Sequence, residues 1–194
     1  VRMQAMASLL AEEGVRQGDR VPVWLPNGAD LLQAWLGCNY LGATFVPLNT
    51  DFRGSILAHV LNECAAQIFL LHPTLADRLS SIGDAAPARL IFCGKTESDH
   101  SKLTSVHARY LELLPSSIEA PVSVAKLAPW DLQMVIFTSG TTGPSKGVLC
   151  PYAHIYSTAQ ATYGYLDSHD TMLTELPIFH VGGAASAVAA LCNN

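Results

Sequence analysis

The most informative stretch of the chain reads FTSGTTGPSKGV over residues 137–148. It contains five hydroxyl-bearing residues, three glycines and one lysine, and its first residue, Phe137, ends the apolar run MVIF of residues 134–137. The apolar run predicts a buried strand, which would hold the loop at a rigid edge. Glycines let backbone N–H groups converge on a ligand, hydroxyls add hydrogen-bond donors, and the ammonium adds a compact positive charge. Together these features predict a site for a polyphosphate.

The spacing within this loop differs from that of a Walker-type P-loop. In the Walker pattern glycine precedes the lysine and Ser or Thr follows it, whereas here Ser145 precedes Lys146 and Gly147 follows it. Gly147 begins a second short apolar run, ending at Cys150, that predicts another strand. The sequence therefore predicts a hairpin-like phosphate loop between two strands, and not a loop that leads into a helix N-terminus. The alternative, a Ser/Thr/Gly-rich linker, is disfavoured by the flanking strands.

The order SGTTG-x-x-KG after an apolar strand closely resembles the phosphate loop of the adenylate-forming superfamily. That superfamily includes acyl-CoA synthetases, luciferases and the adenylation domains of peptide synthetases. Most members have proline immediately before the lysine, whereas this chain has it one place earlier, at Pro144. Residues 41–49 (LGATFVPLN) and 176–183 (LPIFHVGG) resemble two further motifs of the superfamily, and they occur in the same order.

The resemblance implies ATP and magnesium at the loop. Thr138 is the position that would approach Mg²⁺, and Lys146 would pair with the phosphates. The residues between them would wrap the β- and γ-phosphates; these are Ser139, Gly140, Thr141, Thr142 and Gly143. In this superfamily a substrate carboxylate attacks the α-phosphate of ATP to give an acyl-adenylate and pyrophosphate, and in the CoA ligases the CoA thiolate then displaces AMP.

No catalytic residue is expected within this chain. A carboxylate is already ionised at neutral pH and needs no general base for the first step. The later motifs of the superfamily, including its C-terminal catalytic lysine, have no counterpart in the sequence. We therefore expect an N-terminal fragment of an AMP-forming acid–thiol ligase that is inactive by itself. A nucleotide-binding pseudo-enzyme fragment and a peptide-synthetase or luciferase type of adenylating enzyme are the alternatives.

The motif of residues 176–183 is expected to border the acyl pocket. By resemblance, His180 and Gly182 would bind the substrate, with His180 as a wall of the pocket and not as an acid–base catalyst. Amino-acid-activating relatives have aspartate at the histidine position, where it pairs with the ammonium of their substrate. Histidine leaves a buried ammonium without that countercharge. It therefore favours an acyl-CoA ligase for a small or medium carboxylic acid.

Composition excludes several other classes of protein. The 194 residues are 49% hydrophobic and 14% charged, with a net charge of −5 and a pI of about 5.7. The acidic balance disfavours a nucleic-acid partner, and no apolar run is long enough to predict a membrane span. The five cysteines are scattered without C-x-x-C spacing, which is typical of a reduced, cytoplasmic protein that uses thiols as small apolar groups. No oligomeric state is indicated.

Helical and strand patterns alternate along the chain. This alternation predicts an α/β fold with a mostly parallel sheet, part of a larger N-terminal adenylation domain. We expect an α/β layer over residues 1–93, a connecting segment over 94–129 with a short helix near 106–114, and the phosphate loop with the start of the acyl-pocket region over 130–194. A strand is predicted at 171–176 and a helix at 181–191. All three tryptophans, Trp24, Trp35 and Trp130, are predicted to lie in the core.

Overall fold

The computed structural model describes residues 2–94, 107–111, 125–138 and 144–193. Helices and strands follow one another in the order α1 (Arg2–Glu12), β1 (Arg20–Trp24), α2 (Ala29–Tyr40), β2 (Thr44–Pro47), α3 (Gly54–Cys64), β3 (Ile68–Leu71), β4 (Arg89–Cys93), β5 (His107–Leu111), β6 (Leu132–Phe137), β7 (Gly147–Pro151), α4 (Tyr152–Tyr163) and α5 (Val181–Cys192). Two 3₁₀ helices, Pro73–Ser81 and Gly83–Ala85, lie between β3 and β4.

The strands form one sheet in the order β5-β4-β3-β1-β2-β6-β7. Every neighbouring pair is parallel except β6 and β7, which are antiparallel. Parallel strands need crossover connections, and here helices supply most of them, so both faces of the sheet are covered. The predicted α/β class with a mostly parallel sheet is confirmed, and the hairpin of β6 and β7 is confirmed as its antiparallel edge.

Alternating side chains of the strands supply two separate hydrophobic cores. Val21 and Val23 of β1 face a core that also contains apolar residues of α1, α2, α4 and α5. Trp24 faces the opposite core, to which α3 and the longer 3₁₀ helix contribute. Successive side chains of a strand point to opposite faces, so a sheet buried on both sides needs apolar residues at almost every position. Strands β1, β2, β3, β4 and β6 meet that requirement, whereas the edge strand β7 is exposed over residues 147–149.

Two of the three tryptophans anchor these cores. Trp35 stacks on Phe45 with ring centroids 5.5 Å apart, and both side chains are fully buried. Trp24 stacks on Phe69 at 5.9 Å, and its indole N–H donates to the Asn49 carbonyl at 2.9 Å. The prediction for Trp130 is wrong, because it lies in the turn before β6 with 77% of its surface exposed.

Two predicted elements are also wrong. The helix near 106–114 is replaced at residues 107–111 by strand β5, which pairs with β4 along its whole length. The free hydrogen-bonding edge of β4 thus outweighs the local helical pattern. Residues 171–176 form no strand, and Leu173 in that segment is 83% exposed. A strand needs a hydrogen-bonded neighbour, and no strand in the described part of the chain runs beside this segment.

Most thiols are buried in the cores. Cys38, Cys64, Cys93 and Cys150 are buried, whereas Cys192 at the end of α5 is exposed. Burial removes the hydration that a thiolate needs, and it raises the pKa of Cys64 and of Cys93 to about 12. For the four buried residues this confirms the prediction that cysteine serves as a small apolar group.

None of the helices in the described residues combines the length and the apolar character that a bilayer crossing requires.

The stacked pair of Trp35 and Phe45 gives a test of the larger core. Replacing Trp35 with alanine removes a fully buried ring, and we expect a loss of about 3–5 kcal/mol in the free energy of unfolding. The matched control is Trp130→Ala, which removes an exposed ring and should change stability by less than about 0.5 kcal/mol. Urea unfolding followed by far-ultraviolet circular dichroism measures both. Equal losses for the two variants would contradict this assignment.

The difference in thiol burial predicts selective alkylation. At pH 8 the raised pKa of Cys64 and Cys93 keeps those thiols protonated and unreactive. Iodoacetamide should therefore modify Cys192 well before the buried cysteines, as measured by peptide mass spectrometry over time. In concentrated urea all five cysteines should react. Early modification of Cys64 in the folded protein would contradict its burial in the core.

Candidate functional site

The candidate site begins where β6 ends. Residues of β6 and β7 pair in register from Met134 with Cys150 to Phe137 with Gly147. The Thr138 N–H then donates to the Lys146 carbonyl at 3.0 Å, so the pairing continues one step beyond the strands. The antiparallel ladder therefore brings the two ends of the phosphate loop together, as the sequence predicts.

Side chains at the neck of the loop add further hydrogen bonds. The Thr138 hydroxyl lies 3.4 Å from both the carbonyl and the N–H of Lys146, and the Ser145 hydroxyl donates to the Thr138 carbonyl. Thr138 and Lys146 are exposed. No carboxylate among the described residues pairs with the Lys146 ammonium, so its charge is available to an anion. The loop residues that follow Thr138, Ser139 to Gly143, lie outside the described residues, and their role stays a prediction.

A histidine that the sequence does not single out supports the returning side of the loop. The Nε2 atom of His59, on α3, lies 2.8 Å from the Ser145 carbonyl. A carbonyl oxygen only accepts, so this contact requires the tautomer with a proton on Nε2. Eighty-six residues separate the two partners, and no local pattern in the sequence indicates the contact.

Asn27 links the predicted acyl-pocket motif to the sheet. Its side-chain N–H donates to the Leu176 carbonyl at 3.0 Å, and its Oδ1 accepts from the Ile178 N–H at 3.1 Å. Asn27 lies three residues after the end of β1, and the carboxyl ends of parallel strands share one edge of a sheet. The motif of residues 176–183 is thus anchored at the same edge as the phosphate loop. The sequence pattern predicts a turn at residues 26–28, with Asn27 or Asp30 near the start of the next helix, and it does not indicate the distant contact.

His180 lies at the start of α5. It is the N-cap residue of that helix without a side-chain capping bond, it is exposed, and its ring packs 4.7 Å from the ring of Phe179. Its backbone N–H donates to the Pro177 carbonyl at 3.0 Å. The imidazole is therefore free of hydrogen bonds to the described residues and can face a ligand.

The glycines after His180 let the motif approach α5 closely. A β-carbon on Gly183 would lie only 2.2 Å from the Pro177 carbonyl oxygen, which leaves no space for any other residue. At Gly182 the same atom would lie 3.1 Å from Leu176 Cδ1, which is tight but less severe. The close packing of the Pro177 backbone against α5 therefore requires glycine at position 183. For Gly182, contact with a substrate remains a prediction.

The arrangement favours binding of an anion over acid–base chemistry. An exposed lysine, an exposed threonine hydroxyl and a hairpin loop lie along one edge of the sheet. Residues 176–183, the predicted acyl-pocket motif, contain the exposed His180 and are tied to that same edge. Such groups can hold and orient a phosphorylated substrate beside a second molecule.

Comparison with known proteins identifies the family of this chain. The family model described as AMP-binding enzyme matches residues 1–193. A CoA ligase from Mycobacterium tuberculosis, named for a methyl-dioxo-octahydroindenyl propanoyl group, is 33% identical over 192 residues, which cover 96% of this chain and 37% of the relative. A medium/long-chain-fatty-acid CoA ligase from the same organism is 29% identical over 192 residues, which cover 97% of this chain and 30% of the relative.

A solved structure has the same fold. The inhibitor-bound N-terminal domain of FACL13 from Mycobacterium tuberculosis superposes with a TM-score of 0.79 and 22% identity, covering 99% of this chain and 46% of that one. The chain spans only about a third of the length of the two curated relatives, at 37% and 30%. Because the family model covers nearly every residue, the chain belongs to the family of AMP-binding enzymes.

Proposed function

We propose that this chain is part of an AMP-forming acyl-CoA ligase, which activates a carboxylic acid with ATP and transfers the acyl group to CoA. Family membership and two relatives named as CoA ligases support the proposal. The observation that carries it is the closed neck of the loop between β6 and β7. That neck presents Thr138 and Lys146, which has no carboxylate partner among the described residues, at the edge where the His180 motif is anchored.

ATP would bind with its phosphates in this loop. Lys146 would supply a point charge for them, which is possible because no described carboxylate neutralises it. The hydroxyls and backbone N–H groups of the loop would surround the remaining oxygens; these residues are Ser139, Gly140, Thr141, Thr142 and Gly143. The contribution of this part of the enzyme would be to hold the phosphates in place and to stabilise their charge.

Mg²⁺ fits the donors at the neck of the loop. The Thr138 hydroxyl is exposed, and its contacts with Lys146 are long, at 3.4 Å, so it can turn towards a ligand. Hard oxygen donors shared with phosphate oxygens are what magnesium prefers. When bound, the ion would neutralise phosphate charge that one lysine leaves unbalanced. Within the described ranges no group of three His, Cys, Asp or Glu side chains forms another metal site.

The carboxylic acid would bind beside His180 and Gly182. The imidazole is exposed and free of described hydrogen bonds. An amino-acid substrate is disfavoured because no acidic residue follows Phe179 to pair with an ammonium. We therefore infer a small or medium carboxylic acid, with CoA as the acceptor. The proposed compartment is the cytoplasm, which the unpaired cysteines support.

Pyrophosphate exchange in the complete natural protein tests this function. With ATP, Mg²⁺ and a panel of aliphatic and aromatic acids, we expect radiolabelled pyrophosphate to enter ATP only when a suitable acid is present. Chelating the magnesium should abolish the exchange. Exchange with amino acids alone would favour a peptide-synthetase type. Magnesium-dependent binding of ATP without exchange for any acid would indicate a pseudo-enzyme.

The role of Lys146 predicts a selective kinetic defect. Replacing it with alanine removes a charged partner of the phosphates, and we expect kcat/KM for ATP to fall by roughly 10- to 100-fold. The matched control is Lys126→Ala, which removes another exposed lysine ahead of β6 and should have little effect. Steady-state pyrophosphate exchange measures both variants. An unchanged kcat/KM for ATP in Lys146→Ala would refute the proposed phosphate contact.

A further inference from the structure

Asn27 uses both ends of its side-chain amide on one distant backbone segment. Its Nδ2 donates to the Leu176 carbonyl at 3.0 Å, and its Oδ1 accepts from the Ile178 N–H at 3.1 Å. The partners lie 149 and 151 residues away along the chain. A side-chain amide that bonds a carbonyl and an N–H two residues apart replaces the neighbouring strand that this segment lacks among the described residues.

Few other side chains could make this pair of bonds. A carboxylate accepts but cannot donate, and the hydroxyl of serine has a single donor on a shorter stem. Asn27 lies in the bend of residues 27–28 that connects β1 to α2. It does not cap the following helix, because the N-cap of α2 is Gly28 and no side chain bonds the first turn. The hydrogen bonds of the Asn27 side-chain amide to described residues are therefore those to Leu176 and Ile178.

The two hydrogen bonds of Asn27 form a clamp on residues 176–178, and these residues lead directly into His180. Ile178 is 3% exposed, so its position is fixed by the core as well as by Asn27. On the other side, the Pro177 carbonyl accepts from the His180 N–H at 3.0 Å, and the backbone there lies against Gly183 of α5. The main chain is thus held from β1 and from α5, and His180 is only two residues beyond the Asn27 bond.

We propose that Asn27 is a positioning residue for the acid-binding side of the site: through Leu176 and Ile178 it fixes the backbone that presents His180 to the substrate. This inference rests on the proposed function. It predicts that loss of the Asn27 hydrogen bonds weakens binding of the carboxylic acid and leaves binding of the ATP phosphates unchanged. Lys146 is held by the β6–β7 hairpin and does not depend on Asn27.

The structural part of the proposal is tested by hydrogen exchange. In the complete natural protein, Asn27→Ala should accelerate exchange in a peptide spanning residues 174–180, because the Ile178 N–H loses its acceptor. Asn27→Asp keeps that acceptor and should give an intermediate rate. The matched control, Asn62→Ala on the exposed side of α3, should match the unmodified protein. Unchanged exchange in Asn27→Ala would overturn the clamp.

The functional part is tested by separate Michaelis constants in pyrophosphate exchange. With two hydrogen bonds lost, we expect KM for the acid to rise by about tenfold in Asn27→Ala, while KM for ATP stays within about twofold. In Asn27→Asp, the KM for the acid should lie between the values for the unmodified protein and for Asn27→Ala. This variant serves as the test if the alanine variant does not fold. Equal changes in both constants, or none, would overturn the positioning role. Absence of exchange in the unmodified protein with every acid would instead refute the proposed function.

Discussion

The shared direction of β1, β2 and β6 is the constraint on which the candidate site depends. Their carboxyl ends meet at one edge, so segments far apart in sequence come together there. The pairing between β2 and β6 is short, because the register joins only Phe45 with Met134. Buried Asn39 reinforces it by donating to the Gln133 carbonyl at 3.0 Å. A side chain of α2 thus helps to hold the strand that carries the phosphate loop.

The return of the loop into an antiparallel strand explains its composition. A loop that leads into a helix can bind anions with the N–H groups and dipole of the helix N-terminus. Here the chain continues into β7, so under the proposed function the loop itself would have to supply donors and charge. The hydroxyl residues, the glycines and Lys146 fit that requirement. The contacts of Ser145 with Thr138 and with His59 hold the returning side of the loop in place.

Apolar patterning predicts most of the fold, because buried parallel strands require continuous apolar runs and their crossover helices require one apolar face. It fails where tertiary pairing decides. Residues 107–111 are a strand only because β4 offers an edge, and residues 171–176 are not a strand because no described neighbour pairs with them. Trp130 shows that hydrophobicity alone does not establish burial. In the site, Thr138 and Lys146 follow from local composition, whereas Asn27 and His59 act on distant backbone that no local pattern reveals.

The use of Asn27 shows how local and long-range stability are balanced at this edge. Asparagine is among the best N-cap residues, yet the cap of α2 is the glycine that follows it. Glycine at an N-cap is only a few tenths of a kcal/mol worse than asparagine, whereas each hydrogen bond to the distant segment contributes about 1 kcal/mol. The comparison of these free energies therefore favours the hydrogen bonds of Asn27 to the distant segment over a role as N-cap. The backbone before His180 is thus tied to the connection that follows the central strand β1, as well as to α5.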